Sequence, residues 1–104
     1  MIKLTETNYD ETIGKGNAVA FITAAWCGHC QASKPAFNVL ADKLEGYTCG
    51  MTDIAENEEL AGKLSITNLP VIIVYKDGKE VGRTTKVESV DSMKEWIEGL
   101  TNQQ

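Results

Sequence analysis

The chain is poor in several residue types that define whole classes of protein. It contains three cysteines, two prolines and one histidine among 104 residues. An odd and low cysteine count does not suggest a framework of structural disulfides. The longest apolar run, AVAFITAAW, has nine residues and includes a threonine, whereas a membrane helix needs about 20 apolar residues. The composition therefore argues against a disulfide-stapled scaffold and a membrane-spanning protein.

Basic charge is also scarce. Ten basic and fifteen acidic side chains give a net charge of −5, which provides no electrostatic footprint for nucleic acid or for an anionic membrane. The N-terminal stretch MIKLTETNYDE lacks the apolar segment of a signal peptide, which favours a cytoplasmic location. The length and the 42% hydrophobic content predict one globular domain spanning residues 1–104.

Strand-like and helix-like segments alternate along the chain without repeats or low-complexity tracts. The run AVAFITAAW is continuously apolar, which is typical of a buried strand. Asp77-Gly78 predicts a two-residue hairpin turn. The predicted strands are residues 1–5, 18–26, 47–54, 70–75 and 79–86, and the predicted helices lie within 7–13, 27–46, 56–64 and from 89 onwards. This order, βαβαβαββα, predicts an α/β fold whose central mixed sheet is covered by helices on both faces.

Three of the predicted helices carry a local signal of their own. Pro35 lies inside the second helix, where a proline predicts a kink. Asn57 stands at the start of the third and is a candidate N-cap. The last helix should bury one apolar face, because apolar residues recur there at helical spacing: Val90, Met93, Trp96, Ile97 and Leu100.

The segment WCGHC, residues 26–30, places two cysteines three positions apart where a strand gives way to a helix. A helix N-terminus carries partial positive charge and free N–H groups, so it stabilises a thiolate on Cys27. Cys30 lies one turn further on and can reach back to close a disulfide. This context predicts a redox-active pair.

Other uses of such a pair fit the sequence less well. Haem attachment requires a histidine directly after the second cysteine, and Gln31 stands there. A structural zinc site needs four ligands, and the chain offers its three cysteines and His29, which lies between two of them. No metal site is therefore predicted. Two cysteines that merely pack in the core are the remaining alternative.

The sequence resembles the thioredoxin family over essentially its whole length. The resemblance rests on AVAFITAAWCGHC, on Pro35 in the second helix, on SITNLPVIIVY, on the KDG turn and on the amphipathic last helix. A Cys-x-x-Cys pair alone is a weak signal, but W-C-G-x-C after an apolar strand, with a proline forty residues after the second cysteine, is specific. The resemblance implies a thioredoxin-like fold and thiol–disulfide exchange with protein substrates. It further implies no bound cofactor, a monomer, and reduction by NADPH through a thioredoxin reductase.

The resemblance also implies a role for each matching residue. Cys27 would be the nucleophile that forms a mixed disulfide with the substrate, and Cys30 the resolving thiol. Trp26 and the pair Leu69-Pro70 would bind substrate, the latter through a cis peptide bond beside the cysteines. The alternatives are an ordinary packed tryptophan and a proline that simply begins a strand.

The residues between the cysteines depart from the family pattern. His29 replaces the usual proline, and CGHC resembles the catalytic domains of protein disulfide isomerase. Gly28 and His29 would tune the pair, because positive charge beside Cys27 favours the thiolate and hence the reduced form. We expect a reduction potential between those of thioredoxin, about −270 mV, and of the isomerase, about −180 mV. The alternative is a solvated histidine with no electronic effect.

Two buried charges of the family are also replaced. Phe21 stands six residues before the first cysteine, where the family has an aspartate, and Met51 stands where it has the lysine partner. Losing both charges avoids an unpaired charge in the core. The sequence therefore predicts that Cys30 is activated weakly or through water. Asp53 shares the strand face of Met51, but we do not assume that it substitutes.

Two further residues bear on partners and regulation. Lys86 occupies a position that is often glycine on the family's apolar docking surface. A charge there would bias which partners dock, although an ordinary solvated lysine fits equally well. Cys49 is expected to be a small buried core residue, with a regulatory thiol as the alternative.

The predicted activity is that of a thioredoxin-type protein disulfide reductase. One alternative is a disulfide oxidase or isomerase that assists folding, which CGHC suggests and the missing signal peptide disfavours. The other is a non-catalytic thioredoxin-fold partner subunit, whose redox activity would be incidental.

Overall fold

The computed structural model describes residues 1–102, which form five strands and four helices in the predicted order. The strands are β1 (Ile2–Lys3), β2 (Asn17–Thr23), β3 (Thr48–Asp53), β4 (Val71–Lys76) and β5 (Lys79–Thr84). The helices are α1 (Tyr9–Ile13), α2 (Gly28–Lys43), α3 (Glu58–Lys63) and α4 (Val90–Thr101). None of these helices is both long and apolar enough to cross a membrane.

The strands form one mixed sheet in the order β1-β3-β2-β4-β5. Strands β1, β3 and β2 run parallel, whereas β4 is antiparallel to both β2 and β5. Strand β2 lies at the centre and is buried at every position after Asn17, which explains its continuous apolar sequence. The predicted α/β fold with a central mixed sheet is confirmed.

Two apolar layers cover the sheet, one on each face. Because side chains alternate along a strand, Ala20 and Ile22 of β2 face one layer while Val19 and Phe21 face the other. The first layer includes residues of α1 and α3, and the second includes residues of α2 and α4. The prediction of helices on both faces of the sheet is therefore correct.

The turn between β4 and β5 has the predicted two-residue form. Asp77 and Gly78 adopt φ angles of 51° and 83°, and Lys76 pairs with Lys79 across the turn. A turn with two positive φ angles matches the twist of the adjoining strands and favours glycine at its second position. Strand β5 ends at Thr84 rather than at Lys86.

Several local predictions need correction. Strand β2 ends at Thr23, three residues before Trp26. Helix α2 runs through Pro35 and ends at Lys43, and the kink at Pro35 stays a prediction.

The Asn57 side chain precedes α3 but does not cap it, because its Oδ1 accepts the Glu6 N–H at 3.2 Å and its Nδ2 donates to the Asp53 carbonyl at 3.1 Å. Asn57 thus joins α3 to the loop before α1.

Helix α4 begins as predicted. The Ser89 side chain accepts the Ser92 N–H at 3.1 Å and so caps the helix. The expected apolar face is present, with Met93 and Ile97 buried at its centre. Val90, Trp96 and Leu100 are only partly buried, because they lie at the margin of the second layer.

Candidate active site at the N-terminus of α2

The two cysteines lie where β2 gives way to α2. Cys27 is the N-cap residue of α2 and has an extended backbone. Its N–H donates to the Ala24 carbonyl at 3.0 Å, and its own carbonyl accepts the Gln31 N–H at 3.1 Å. The connection between strand and helix is therefore short and hydrogen-bonded, and it holds Cys27 at the positive end of the helix dipole.

The Cys27 sulfur takes the place that a serine or aspartate oxygen has in an ordinary helix cap. Its Sγ accepts the Cys30 backbone N–H at 3.2 Å. Both residues are free thiols, with Cys27 partly exposed and Cys30 buried. Cys27 is thus the more accessible of the two cysteines, and Cys30 is shielded from solvent.

The environment of Cys30 favours its protonated form. Burial raises the pKa of the Cys30 thiol to about 11, and the hydrogen bond with Cys27 acts in the same direction. A hydrogen bond with the Ala24 backbone and the charge of Lys34 oppose this shift in pKa. Cys30 is therefore protonated at neutral pH, and it must lose this proton before it can act as a nucleophile.

The Leu69-Pro70 peptide bond is cis, as the resemblance implies. Val71 of β4 pairs with Ile22 of β2, so Pro70 lies at the same end of the sheet as Thr23, the last residue of β2. Pro70 is buried and Leu69 packs against the first apolar layer. The cis segment and the start of α2 therefore emerge at one edge of the sheet.

Trp26, Gly28 and His29 are the solvent-facing residues of the site. Trp26 is 71% exposed, so it does not pack in the core. Gly28 and His29 are exposed in the first turn of α2. The His29 carbonyl accepts the Ser33 hydroxyl at 2.8 Å, which ties the backbone of this turn to the next one.

The core beneath α2 is apolar where the family has a buried ion pair. Phe21 is fully buried and its ring lies 4.8 Å from the ring of Phe37, centroid to centroid. Met51 is the neighbour of Phe21 in the register of β2 and β3 and packs against the same layer. Asp53 pairs with Thr23 instead, and its Oδ1 accepts the Ala55 N–H at 2.8 Å. Asp53 therefore does not occupy the position of the missing acid.

Lys86 and Cys49 lie outside this arrangement. Lys86 is exposed beyond β5, and its N–H donates to Thr84 Oγ1 at 3.1 Å. Cys49 is partly exposed rather than fully buried, because the two-residue β1 pairs only with Gly50 and Met51 of β3. Burial nevertheless raises the pKa of the Cys49 thiol to about 11.

The sequence analysis missed Lys34. This residue lies one helical turn after Cys30 on α2 and lines a cleft of roughly 340 Å³ together with Thr23, Asn38 and Asp53. The spacing of four residues from Cys30 was the signal that could have identified it. Within residues 1–102, no three cysteine, histidine or acidic side chains come together to hold a metal ion.

Comparison with known proteins assigns the chain to a family. The family model described as Thioredoxin matches residues 1–99. The chain belongs to the thioredoxin family. A thioredoxin from Chlamydia pneumoniae is 32% identical over 103 residues, which cover 98% of this chain and 97% of that protein. A thioredoxin from Staphylococcus saprophyticus is 30% identical over 99 residues, which cover 94% and 95%.

A solved structure agrees with this assignment. A mutant thioredoxin from Halobacterium salinarum NRC-1 matches with a TM-score of 0.84 and 25% identity, covering 100% of this chain and 92% of that one. Family membership makes this protein a thiol–disulfide oxidoreductase. Thioredoxins act on protein disulfides through a redox-active cysteine pair and need no bound cofactor.

Proposed function

We propose that this protein is a thioredoxin-type protein disulfide reductase in which Cys27 attacks and Cys30 resolves. The observation that carries the proposal is the asymmetry of the pair. Cys27 is partly exposed at the N-cap of α2, where its Sγ accepts a backbone N–H, whereas Cys30 is buried and keeps its proton. An accessible, stabilised thiolate in front of a protected thiol suits a two-step exchange.

The reaction transfers two electrons from the dithiol to the substrate. The Cys27 thiolate attacks one sulfur of the substrate disulfide, a Cys27–substrate disulfide forms, and the other substrate sulfur leaves as a thiolate that takes up a proton. Cys30 then loses its proton and attacks Cys27 Sγ. The Cys27–Cys30 disulfide forms, and the second substrate sulfur leaves and is protonated.

The surrounding residues would bind the substrate and adjust the chemistry. Trp26 and the Leu69-Pro70 segment would contact the substrate chain, because they lie at the edge of the sheet where α2 begins. Gly28 and His29 would tune the stability of the dithiol. We further propose that the protein acts as a cytoplasmic monomer and that NADPH regenerates the dithiol through a thioredoxin reductase.

One observation favours a second candidate function. His29 is exposed in the first turn of α2, where a protonated imidazole would stabilise the Cys27 thiolate and make the disulfide a stronger oxidant. A disulfide oxidase or isomerase would need such a disulfide. A redox potential near about −180 mV would favour this candidate, and one near about −270 mV would favour the reductase.

The direct test uses insulin, whose interchain disulfides are accessible, with NADPH and a thioredoxin reductase to recycle the protein. We expect wild type to reduce insulin and Cys27→Ser to have no activity above background. The Cys27→Ser, Cys30→Ser double variant also tests the partner-subunit alternative. If the double variant retained the full biological activity of wild type, the redox activity of the cysteines would be incidental to that role and the proposal would be wrong.

A further inference from the structure

The resolving step poses an electrostatic problem in this chain. Cys30 must lose its proton to attack Cys27 Sγ, yet it is buried. The strand positions beneath α2 that could have supplied an internal acid and its lysine partner are Phe21 and Met51. Neither side chain can accept a proton or compensate a charge, so any assistance to Cys30 has to come from another direction.

Lys34 is placed to give that assistance. It follows Cys30 by four residues on α2, and residues at this spacing lie on the same face of a helix with their Cβ atoms about 5–6 Å apart. Lys34 is partly buried and lines the cleft at the end of β2 and β3 together with Thr23 and Asp53. In the part of the chain that the structure describes, no carboxylate forms an ion pair with Lys34.

Lys3, Asp53 and Glu56 also line the cleft. On β1 and the loop after β3, Lys3 and Glu56 form an ion pair at 3.8 Å. Asp53 at the end of β3 binds the Ala55 N–H. Burial is the largest cause of the raised pKa of Cys30; the groups that modify it further are Cys27, the Ala24 backbone and, with the smallest effect, Lys34, which is the cation among them. On the β4 side lie the apolar Leu69 and Pro70, while His29 is exposed on the first turn of α2.

We propose that Lys34 is a positioning residue for the resolving step, whose ammonium group stabilises the Cys30 thiolate as it forms. This inference rests on the proposed function and adds a residue to it. The proton of Cys30 passes to solvent and the departing substrate sulfur takes up a proton, so protons balance. Lys34 keeps its own proton throughout. Its effect is modest, because burial of Cys30 outweighs it and solvent in the open cleft screens it.

The experiment follows the two sulfur-transfer steps separately with dithiodipyridine, a neutral disulfide that Lys34 does not attract by charge. Reduced protein with Cys49→Ala, which removes the third thiol, is mixed with one equivalent of the probe across a range of pH. The first thiopyridone is released by Cys27 at a rate that depends on concentration. The second thiopyridone is released when Cys30 resolves the mixed disulfide, and the rate of this intramolecular step does not depend on concentration.

Lys34→Met should slow the second release by roughly three- to tenfold near neutral pH and leave the first unchanged. Its pH profile should move to higher pH, because the Cys30 thiolate is harder to form. Lys34→Arg should restore the wild-type profile. Lys43→Met is the matched control, since Lys43 lies at the far end of α2 and pairs with Asp91. The difference between Lys34→Met and wild type should shrink in about 1 M salt.

The possible failures are distinguishable. If wild type released only one thiopyridone, Cys30 would not resolve the mixed disulfide and the proposed function itself would fail. If wild type released both and Lys34→Met had the same second rate and pH profile, the role of Lys34 would be refuted. If Lys34→Met lost its fold, as circular dichroism would show, Lys34→Gln and the salt dependence of wild type decide the question by the same criteria.

Discussion

Phe21 and Met51 are direct neighbours in the parallel register of β2 and β3, on the sheet face that α2 and α4 cover. Phe21 extends this contact to Phe37 of α2 through its ring. The family has an aspartate and a lysine at these two positions. Here the pair is replaced as a unit by two apolar side chains that pack together. The interior behind the cysteines therefore contributes packing energy rather than a proton acceptor.

Restoring the acid should cost stability and change the chemistry. Phe21→Asp removes a buried aromatic and buries a carboxyl group, so we expect a loss of about 3–5 kcal/mol in the free energy of unfolding, measured in urea. Adding Met51→Lys should recover part of this loss, because the two charges can then pair. In the folded variant, the resolving rate should depend on pH differently from wild type. Superimposable pH profiles would contradict the assigned role of this apolar pair.

His29 should set the redox potential. Replacing it by proline, which the first turn of a helix accepts, should shift the potential of the Cys27–Cys30 couple from an intermediate value towards about −270 mV. His29→Ala is the control that separates charge from backbone rigidity and should show most of the shift. Equilibration with glutathione, followed by thiol trapping, measures the redox potential of wild type and of each variant. A wild-type potential already at the thioredoxin value would mean that His29 is electronically silent.

The reduced protein should lose stability in alkali. The pKa values of Cys30 and Cys49 are raised from 9.0 to about 11 by burial. Between these values the unfolded chain has released protons that the folded chain still holds, so raising the pH favours unfolding. We expect a loss on the order of 1–2 kcal/mol from about pH 8 to about pH 10.5, measured in urea.

Two controls assign that loss to the thiols. The oxidised protein has no Cys30 thiol to titrate, and Cys49→Ala removes the second group, so each should show a smaller loss than the reduced wild type. Tyr9 and Tyr75, whose pKa values are also raised by burial, contribute equally to every form. Equal losses in all three proteins would mean that neither cysteine is responsible.

Trp26 should affect protein substrates and little else. Its side chain is largely exposed, so Trp26→Ala should change the free energy of unfolding by no more than about 0.5 kcal/mol. The KM for insulin should rise severalfold, because exposed aromatic side chains are typical anchors in protein interfaces. The rate with dithiodipyridine, which is too small to need the docking surface, should stay the same. A parallel loss with both substrates would assign Trp26 to the chemistry instead of to docking.

The sequence predicted the architecture because its strongest signals are local and agree with one another. The continuous apolar run of β2, the Asp77-Gly78 turn and the alternation of elements each indicated the same fold. Residue-level errors arose where the answer depended on tertiary contacts. Asn57 has the residue type of a cap, yet its side chain bonds to Glu6 and Asp53. The exposure of Cys49 depends on how short β1 is, which its sequence does not show.

The residues of the candidate site likewise fall into those that local sequence signals identify and those that depend on tertiary contacts. Cys27, Cys30 and Pro70 were identified by motif and by resemblance, and the structure places them at one end of the sheet. Lys34 belongs to no motif. Its proximity to Cys30 follows from the helical repeat, and that no carboxylate within residues 1–102 pairs with it is visible only in the assembled structure. Such an electrostatic neighbour emerges only when strands and helices are assembled.

The most direct test of the account is to trap the intermediate. Cys30→Ser in a Cys49→Ala background should accumulate a covalent complex with insulin or another protein that contains an accessible disulfide, and non-reducing electrophoresis should separate this complex. Peptide mapping should show one disulfide, joining Cys27 to a substrate cysteine. The reciprocal variant, Cys27→Ser, should trap nothing, because Cys30 is buried and protonated. Equal trapping by Cys27→Ser, or none by Cys30→Ser, would contradict the assignment of Cys27 as nucleophile and Cys30 as resolving thiol.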